Sequence, residues 1–126
     1  MTREELGSRL AARSLELVEI PSPSCREEAV ADRVEELLQG HEAAAFVRRH
    51  GRAVVAGYGS DPPRIVLAGH LDTVPRAGHP SPAIREEEIV GLGTTDMKGA
   101  LAVMLALGEA AAPREGRLAL ARAGDR

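Results

Sequence analysis

The sequence has 126 residues, 44% of them hydrophobic, which is enough chain for one domain with a modest core. It contains no Trp, one Tyr and one Phe, so Ala, Val, Leu and Ile must fill that core. A net charge of −3 and a pI near 5.8 exclude the basic footprint by which a protein grips nucleic acid or an anionic membrane. The single cysteine, Cys25, cannot close an internal disulfide, which suits a reducing compartment. The start Met1-Thr2-Arg3-Glu4-Glu5 lacks the basic and apolar regions of a signal peptide. The longest apolar run, Ala100 to Leu107, falls far short of the ~20 residues that cross a bilayer. The expectation is a cytoplasmic protein with no nucleic-acid and no membrane partner.

In chain order, Thr2 followed by Glu5 has the form of a capping box, and Leu6, Leu10, Leu17 and Val18 then make an apolar stripe at helical spacing. Pro21 and Pro23 stop that helix. Ser24 with Glu27 repeats the capping pattern before a second stripe of Val30, Val34, Leu37 and Leu38, with Gly40 as its C-terminal cap. Both helices read as packing elements. From Ala43 the period changes to short strands, Ala44 to Val47 and Ala53 to Tyr58, joined through a turn at His50-Gly51.

The run Ile65 to Ala68 is short, apolar and β-rich, and is expected to be a buried central strand that delivers His70 and Asp72 at its end. Side chains two apart on an extended chain share a face at roughly 7 Å, so an imidazole and a carboxylate are set side by side. H-x-D can be a solvated turn, or a metal-binding histidine with an acid that holds its ring in one tautomer. Ile84 to Val90 is a weak strand, polar enough for a sheet edge. Gly91-Leu92-Gly93-Thr94-Thr95-Asp96 leads into a helix from about Met97, apolar on nearly all sides and ended by Pro113. Asp96 can be an N-cap or a ligand. The two glycines lack the third glycine of a dinucleotide loop, and no Walker A pattern is present. Leu118 to Ala121 starts another strand, and the alternation of strands and helices argues for an α/β architecture.

A strand ending in G-H-L-D-T-V-P, followed by G-L-G-T-T-D-M-K-G-A opening an apolar helix, resembles the M20 family of zinc-dependent peptidases and amidohydrolases. The resemblance runs from the Pro21-Ser22-Pro23-Ser24 turn to about Ala112. It implies that His70 ligates one metal of a two-metal site, that Asp96 bridges both metals, and that Asp72 supports the imidazole and counts among the catalytic residues. It implies two Zn²⁺ per complete site, with Co²⁺ able to substitute, and N-acyl amino acids or peptides as substrates. Full-length members are often homodimers. Within the family, Arg48 to Ala56 together with Arg64 to Pro75 is most similar to the desuccinylase branch, with deacetylases and carboxypeptidases as alternatives. Met97 and Lys98 belong to the motif without an evident chemical role, and His41, His50 and His79 match no ligand position and are expected to be surface histidines.

The resemblance breaks near the end. The family's general base is the first Glu of an adjacent pair after the next strand, and the second Glu is a metal ligand. Here that strand reads L-A-L-A-R-A-G-D-R, and Arg126 falls about where the base belongs. The fold expectation is therefore a partial three-layer α/β/α zinc-peptidase-like catalytic domain over residues 1–126, truncated after the third main helix, without the dimerisation domain. By itself such a chain is expected to be inactive or nearly so.

Overall fold

The computed structural model describes residues 1–59, 65–111 and 118–122. Helix α1 (Arg3–Glu19) opens on the anticipated box: Thr2 Oγ1 accepts from the Glu5 amide, and the Glu5 carboxylate accepts from the Thr2 amide. Its Leu17 and Val18 are buried. Helix α2 (Glu28–Gln39) presents Val30, Ala31, Val34 and Leu38 to the same core, and its end at Gly40 is right-handed at φ −77°. The expected Ser24–Glu27 capping box does not form: the N-cap is Glu27, with no side-chain cap bond. The Ser24 hydroxyl is engaged elsewhere.

Strands β1 (Ala44–His50) and β2 (Ala53–Tyr58) form the anticipated antiparallel hairpin, turning at Gly51 with φ 57°. Strands β3 (Ile65–Gly69) and β6 (Leu118–Arg122) complete one sheet in the order β1-β2-β6-β3. β6 lies antiparallel to β2 and parallel to β3. Among the described residues β3 is therefore an edge strand rather than the buried centre its composition suggested, with Ile65 64% and Val66 62% exposed. An apolar run states a capacity for burial; the neighbours decide whether it is used.

Residues 83–90 form a separate ribbon of β4 (Ala83–Arg85) and β5 (Glu88–Val90) about a turn with Glu86 at φ 55°, instead of one weak strand. Helix α3 (Gly99–Ala110) buries Leu101, Ala102, Met104 and Leu105 but leaves Val103 and Leu107 exposed. Met97 is not part of it, having non-helical φ −136° and ψ 32°. Pro113 lies outside the described residues, as does Arg126.

Leu17, Val30, Val34, Leu38, Val54, Ala56, Tyr58 and Leu101 belong to one continuous core. All three helices thus share the sheet face that carries Val54, Ala56 and Tyr58. On the opposite face Phe46 lies over Gly57, whose missing Cβ would stand 2.2 Å from the Phe46 ring. The described residues supply the sheet and one helical layer of an α/β arrangement. Burying each large aliphatic side chain there stabilises by roughly 1.5–3 kcal/mol before the entropy of ordering the chain is subtracted. No described helix is long and apolar enough to cross a membrane.

Two of the histidines expected at the surface, His50 and His79, are exposed. His41 is not. It is partly buried with Nδ1 2.7 Å from the Tyr58 hydroxyl, and burial lowers its pKa below the usual histidine value.

Candidate metal centre

His70 follows the last residue of β3, so the strand fixes where its ring begins. Its backbone amide donates to Met97 Sδ at 3.3 Å. Its Nδ1 stands 3.1 Å from the Asp72 backbone oxygen and 3.1 Å from Asp72 Oδ1. Both neighbours are hydrogen-bond acceptors that anchor Nδ1, and the outward-facing nitrogen is Nε2. Nε2 lies 2.7 Å from Asp96 Oδ1. The ring is thus clasped between two acids, Asp72 on the Nδ1 side and Asp96 on the Nε2 side. The side chains of His70 and Asp72 are 22% and 17% exposed, while that of Asp96 is 85% exposed.

Asp96 is presented by a single turn of π-helical width, Thr94–Lys98, in which the Lys98 amide donates to the Gly93 carbonyl at 2.8 Å. Gly93 opens it at φ 85°, a left-handed conformation, and a Cβ there would come within 2.7 Å of Thr73 Cγ2. Asp96 itself has φ −128° and ψ 89°, outside the helical region, and the Asp96–Met97 peptide is cis. The Lys98 side chain turns inward, 1% exposed, and its ammonium donates to the Ile20 carbonyl at 2.6 Å. Burial brings its pKa down to about 8. Met97 and Lys98, which had no evident role in the sequence, tie the Asp96 turn to the base of His70 and to the end of α1.

A third segment closes the site from the side. The Ser22–Ser24 turn pairs with residues 71–73: the Thr73 amide donates to the Ser22 carbonyl at 2.8 Å and the Ser24 amide to the Thr73 carbonyl at 3.1 Å. The Ser24 hydroxyl donates to Asp72 Oδ2 at 2.7 Å. Sequence reasoning missed this contact, and its available signal was the P-S-P-S turn at the start of the family resemblance. An open depression of about 280 Å³ is bounded by Ser24, His70, Asp72, Val74, Gly93 and Asp96.

The donors fit a borderline divalent cation in kind: an imidazole nitrogen with its other nitrogen anchored, and a carboxylate oxygen converging with it. They fall short in number. Catalytic zinc commonly takes three protein ligands and a water. Among the described residues no cluster of three or more metal-binding side chains gathers.

The architecture, an α/β layer with a histidine at a strand end and an aspartate on a glycine-opened turn, is the fold of M20 peptidase structures. Residues 66–121 match the sequence model of Peptidase family M20/M25/M40, and that segment belongs to this family. The chain is 40% identical over 92 residues to a Mycobacterium tuberculosis protein provisionally named succinyl-diaminopimelate desuccinylase DapE, covering 72% of this chain and 26% of that protein. It is 40% identical over 94 residues to succinyl-diaminopimelate desuccinylase of Corynebacterium glutamicum, covering 71% of this chain and 25% of that protein. A Pyrococcus abyssi protein provisionally named LysW-lysine/LysW-ornithine hydrolase is 38% identical over 90 residues, 71% of this chain and 26% of its own length. The chain thus spans about a quarter of the length of the curated relatives it matches. Among solved structures, an M20 family metallo-carboxypeptidase from Sulfolobus solfataricus superposes with TM-score 0.69 at 20% identity, over 98% of this chain and 31% of that one. Aminopeptidase PepT from Bacillus cereus superposes with TM-score 0.70 at 20% identity, over 92% and 36%. At such identities the superpositions establish the fold alone. M20 metallopeptidases depend on metal ions as a class.

Proposed function

We propose that residues 1–126 form the N-terminal part of the catalytic domain of an M20 amidohydrolase, and that His70 and Asp96 are metal donors with Asp72 as the acid behind the imidazole. The observation that carries this reading is the 2.7 Å approach of His70 Nε2 to Asp96 Oδ1, two groups separated by 26 residues of chain. Imidazole and carboxylate together favour Zn²⁺, with Co²⁺ as a substitute. A divalent ion bound there supplies a Lewis acid for an amide carbonyl and lowers the pKa of a bound water. The chain's own groups do the rest of the positioning: Asp72 anchors Nδ1 and so turns Nε2 outward, and the exposed Asp96 carboxylate keeps a second oxygen available for a further cation.

The proposed reaction of the whole site is hydrolysis of N-succinyl-LL-2,6-diaminopimelate to succinate and LL-2,6-diaminopimelate, in lysine biosynthesis in the cytoplasm. The 40% identity to desuccinylases over nearly three quarters of the chain supports that substrate. Among the described residues two donors stand without a general base, so the 126 residues alone are expected to bind metal weakly and to turn over nothing.

Cobalt titration followed by visible absorption tests the centre. Binding that His70→Ala and Asp96→Ala each abolish is the expected result, and binding that survives both changes would refute the assignment. A chimaera carrying this segment in place of the matching segment of the Corynebacterium glutamicum enzyme tests the substrate. Release of succinate from N-succinyl-LL-2,6-diaminopimelate in preference to acetate from N-acetylornithine is expected, and the reverse preference would move the substrate to the deacetylase branch.

A further inference from the structure

We infer that Ser24 is a positioning residue for this centre, holding the Asp72 carboxylate in the orientation that faces Nδ1 of His70. The inference rests on the metal-donor reading of His70 and Asp96 and deepens it. The Asp72 carboxylate is spanned at both ends: Oδ1 faces His70 Nδ1 at 3.1 Å, and Oδ2 accepts from Ser24 Oγ at 2.7 Å. A hydroxyl donating to a carboxylate at that distance is a charge-assisted bond, stronger than a neutral one. The Asp72 side chain is 17% exposed, while Ser24 itself lies on the exposed rim of the site.

The backbone fixes the hydroxyl where it acts. Ser22 is 1% exposed and its own hydroxyl donates to the Leu71 carbonyl at 2.7 Å. Two backbone hydrogen bonds then register the turn against Thr73, and Pro23 pairs with Thr73 as an isolated parallel bridge. On the far side the buried Glu27 carboxylate accepts from the Cys25 amide at 2.9 Å and pairs with Arg52 at 2.7 Å. The turn is pinned before and after Ser24, so the Oγ position belongs to the fold and not to one rotamer of a loose loop. A capping role is excluded by α2 itself, which begins at Glu28 behind a Glu27 N-cap that takes no side-chain bond. The Ser24 side of the site therefore sets the tilt of the imidazole through Asp72, without touching a metal or a substrate.

The experiment compares the 126-residue chain with Ser24→Ala and Ser24→Thr by three measurements: the ¹⁵N spectrum of the His70 ring without metal, the cobalt affinity, and the metal-free melting temperature. Partners outside the ligand set commonly govern roughly 10–100-fold in metal affinity, and Ser24 acts one bond further out, so a loss of about tenfold is expected in Ser24→Ala. The same variant should show a shifted ring spectrum and an unchanged melting temperature, and Ser24→Thr should restore both spectrum and affinity. A wild-type ring spectrum in Ser24→Ala overturns the inference. So does an affinity loss that Ser24→Thr fails to rescue or that a lowered melting temperature accompanies. Failure of the wild-type chain to bind cobalt would refute the metal reading alone, since the metal-free ring spectrum still decides what Ser24 does.

Discussion

His41 and His70 are both half-withdrawn from solvent and both use Nδ1 in a hydrogen bond, yet they sit in opposite chemistry. His41 faces a phenol: its Nδ1 shares a hydrogen bond with the hydroxyl of Tyr58, 4% exposed, across the gap between the end of α2 and β2. Burial lowers the pKa of His41 and, in the same pair, raises that of Tyr58 to about 12, so both groups favour their neutral forms. His70 faces carboxylates on both nitrogens, from Asp72 and Asp96. The first arrangement closes a core; the second brings an imidazole nitrogen and an exposed carboxylate oxygen together at the edge of an open depression. What separates a structural histidine from a candidate ligand is the set of partners, more than burial or sequence neighbours.

The comparison breaks most visibly at His70. Replacing it by Ala should cut cobalt affinity by more than the roughly 100-fold upper range of outer-shell changes, with little change in the metal-free melting temperature. His41→Ala should do the reverse. Cobalt titration and differential scanning calorimetry on the two variants read both effects, and a loss of metal binding in His41→Ala would erase the distinction.

Gly93→Ala tests whether the Asp96 turn is as tightly specified as the His70 side. A side chain at φ 85° with Thr73 Cγ2 at 2.7 Å should cost on the order of 1–3 kcal/mol in urea unfolding and weaken cobalt binding as the turn shifts. Unchanged stability would mean that the turn adapts freely.

At His41 itself, truncation leaves the buried Tyr58 hydroxyl without its partner, a loss of about 1–3 kcal/mol, whereas His41→Gln offers a replacement acceptor and should recover part of it. The smallest effect is in pH. With the folded-state pKa of His41 below the ordinary 6.5, the unfolded chain binds the proton first as pH falls. His41 therefore contributes stability in full above about pH 7, and the contribution is lost as pH drops through 6.5 towards the folded value. Melting temperatures from pH 7.5 to 5 should fall more steeply for the wild type than for His41→Gln; equal slopes would place the titration elsewhere.

Local signals carried the parts of this chain whose partners lie close in sequence. The Thr2–Glu5 box needs residues three apart, and it forms as read. The His50-Gly51 turn joins strands that pair with each other, and His70 meets Asp72 two residues on. The same capping pattern at Ser24–Glu27 misled, because Ser24 finds a better acceptor 48 residues away. His41 looked superficial because nothing near it in sequence announces Tyr58, 17 residues on.

The sequence by itself determined the periodicities of the helices and the first hairpin, the strand end that bears His70, and the glycine turn that bears Asp96, since each follows from backbone preferences and side-chain spacing within a few residues. Only the tertiary structure decided that β3 lies at a sheet edge, that Asp96 comes to His70, and that Ser24, Met97 and Lys98 brace that meeting. Those contacts join segments 26 to 78 residues apart, and which of them form depends on how the whole chain packs.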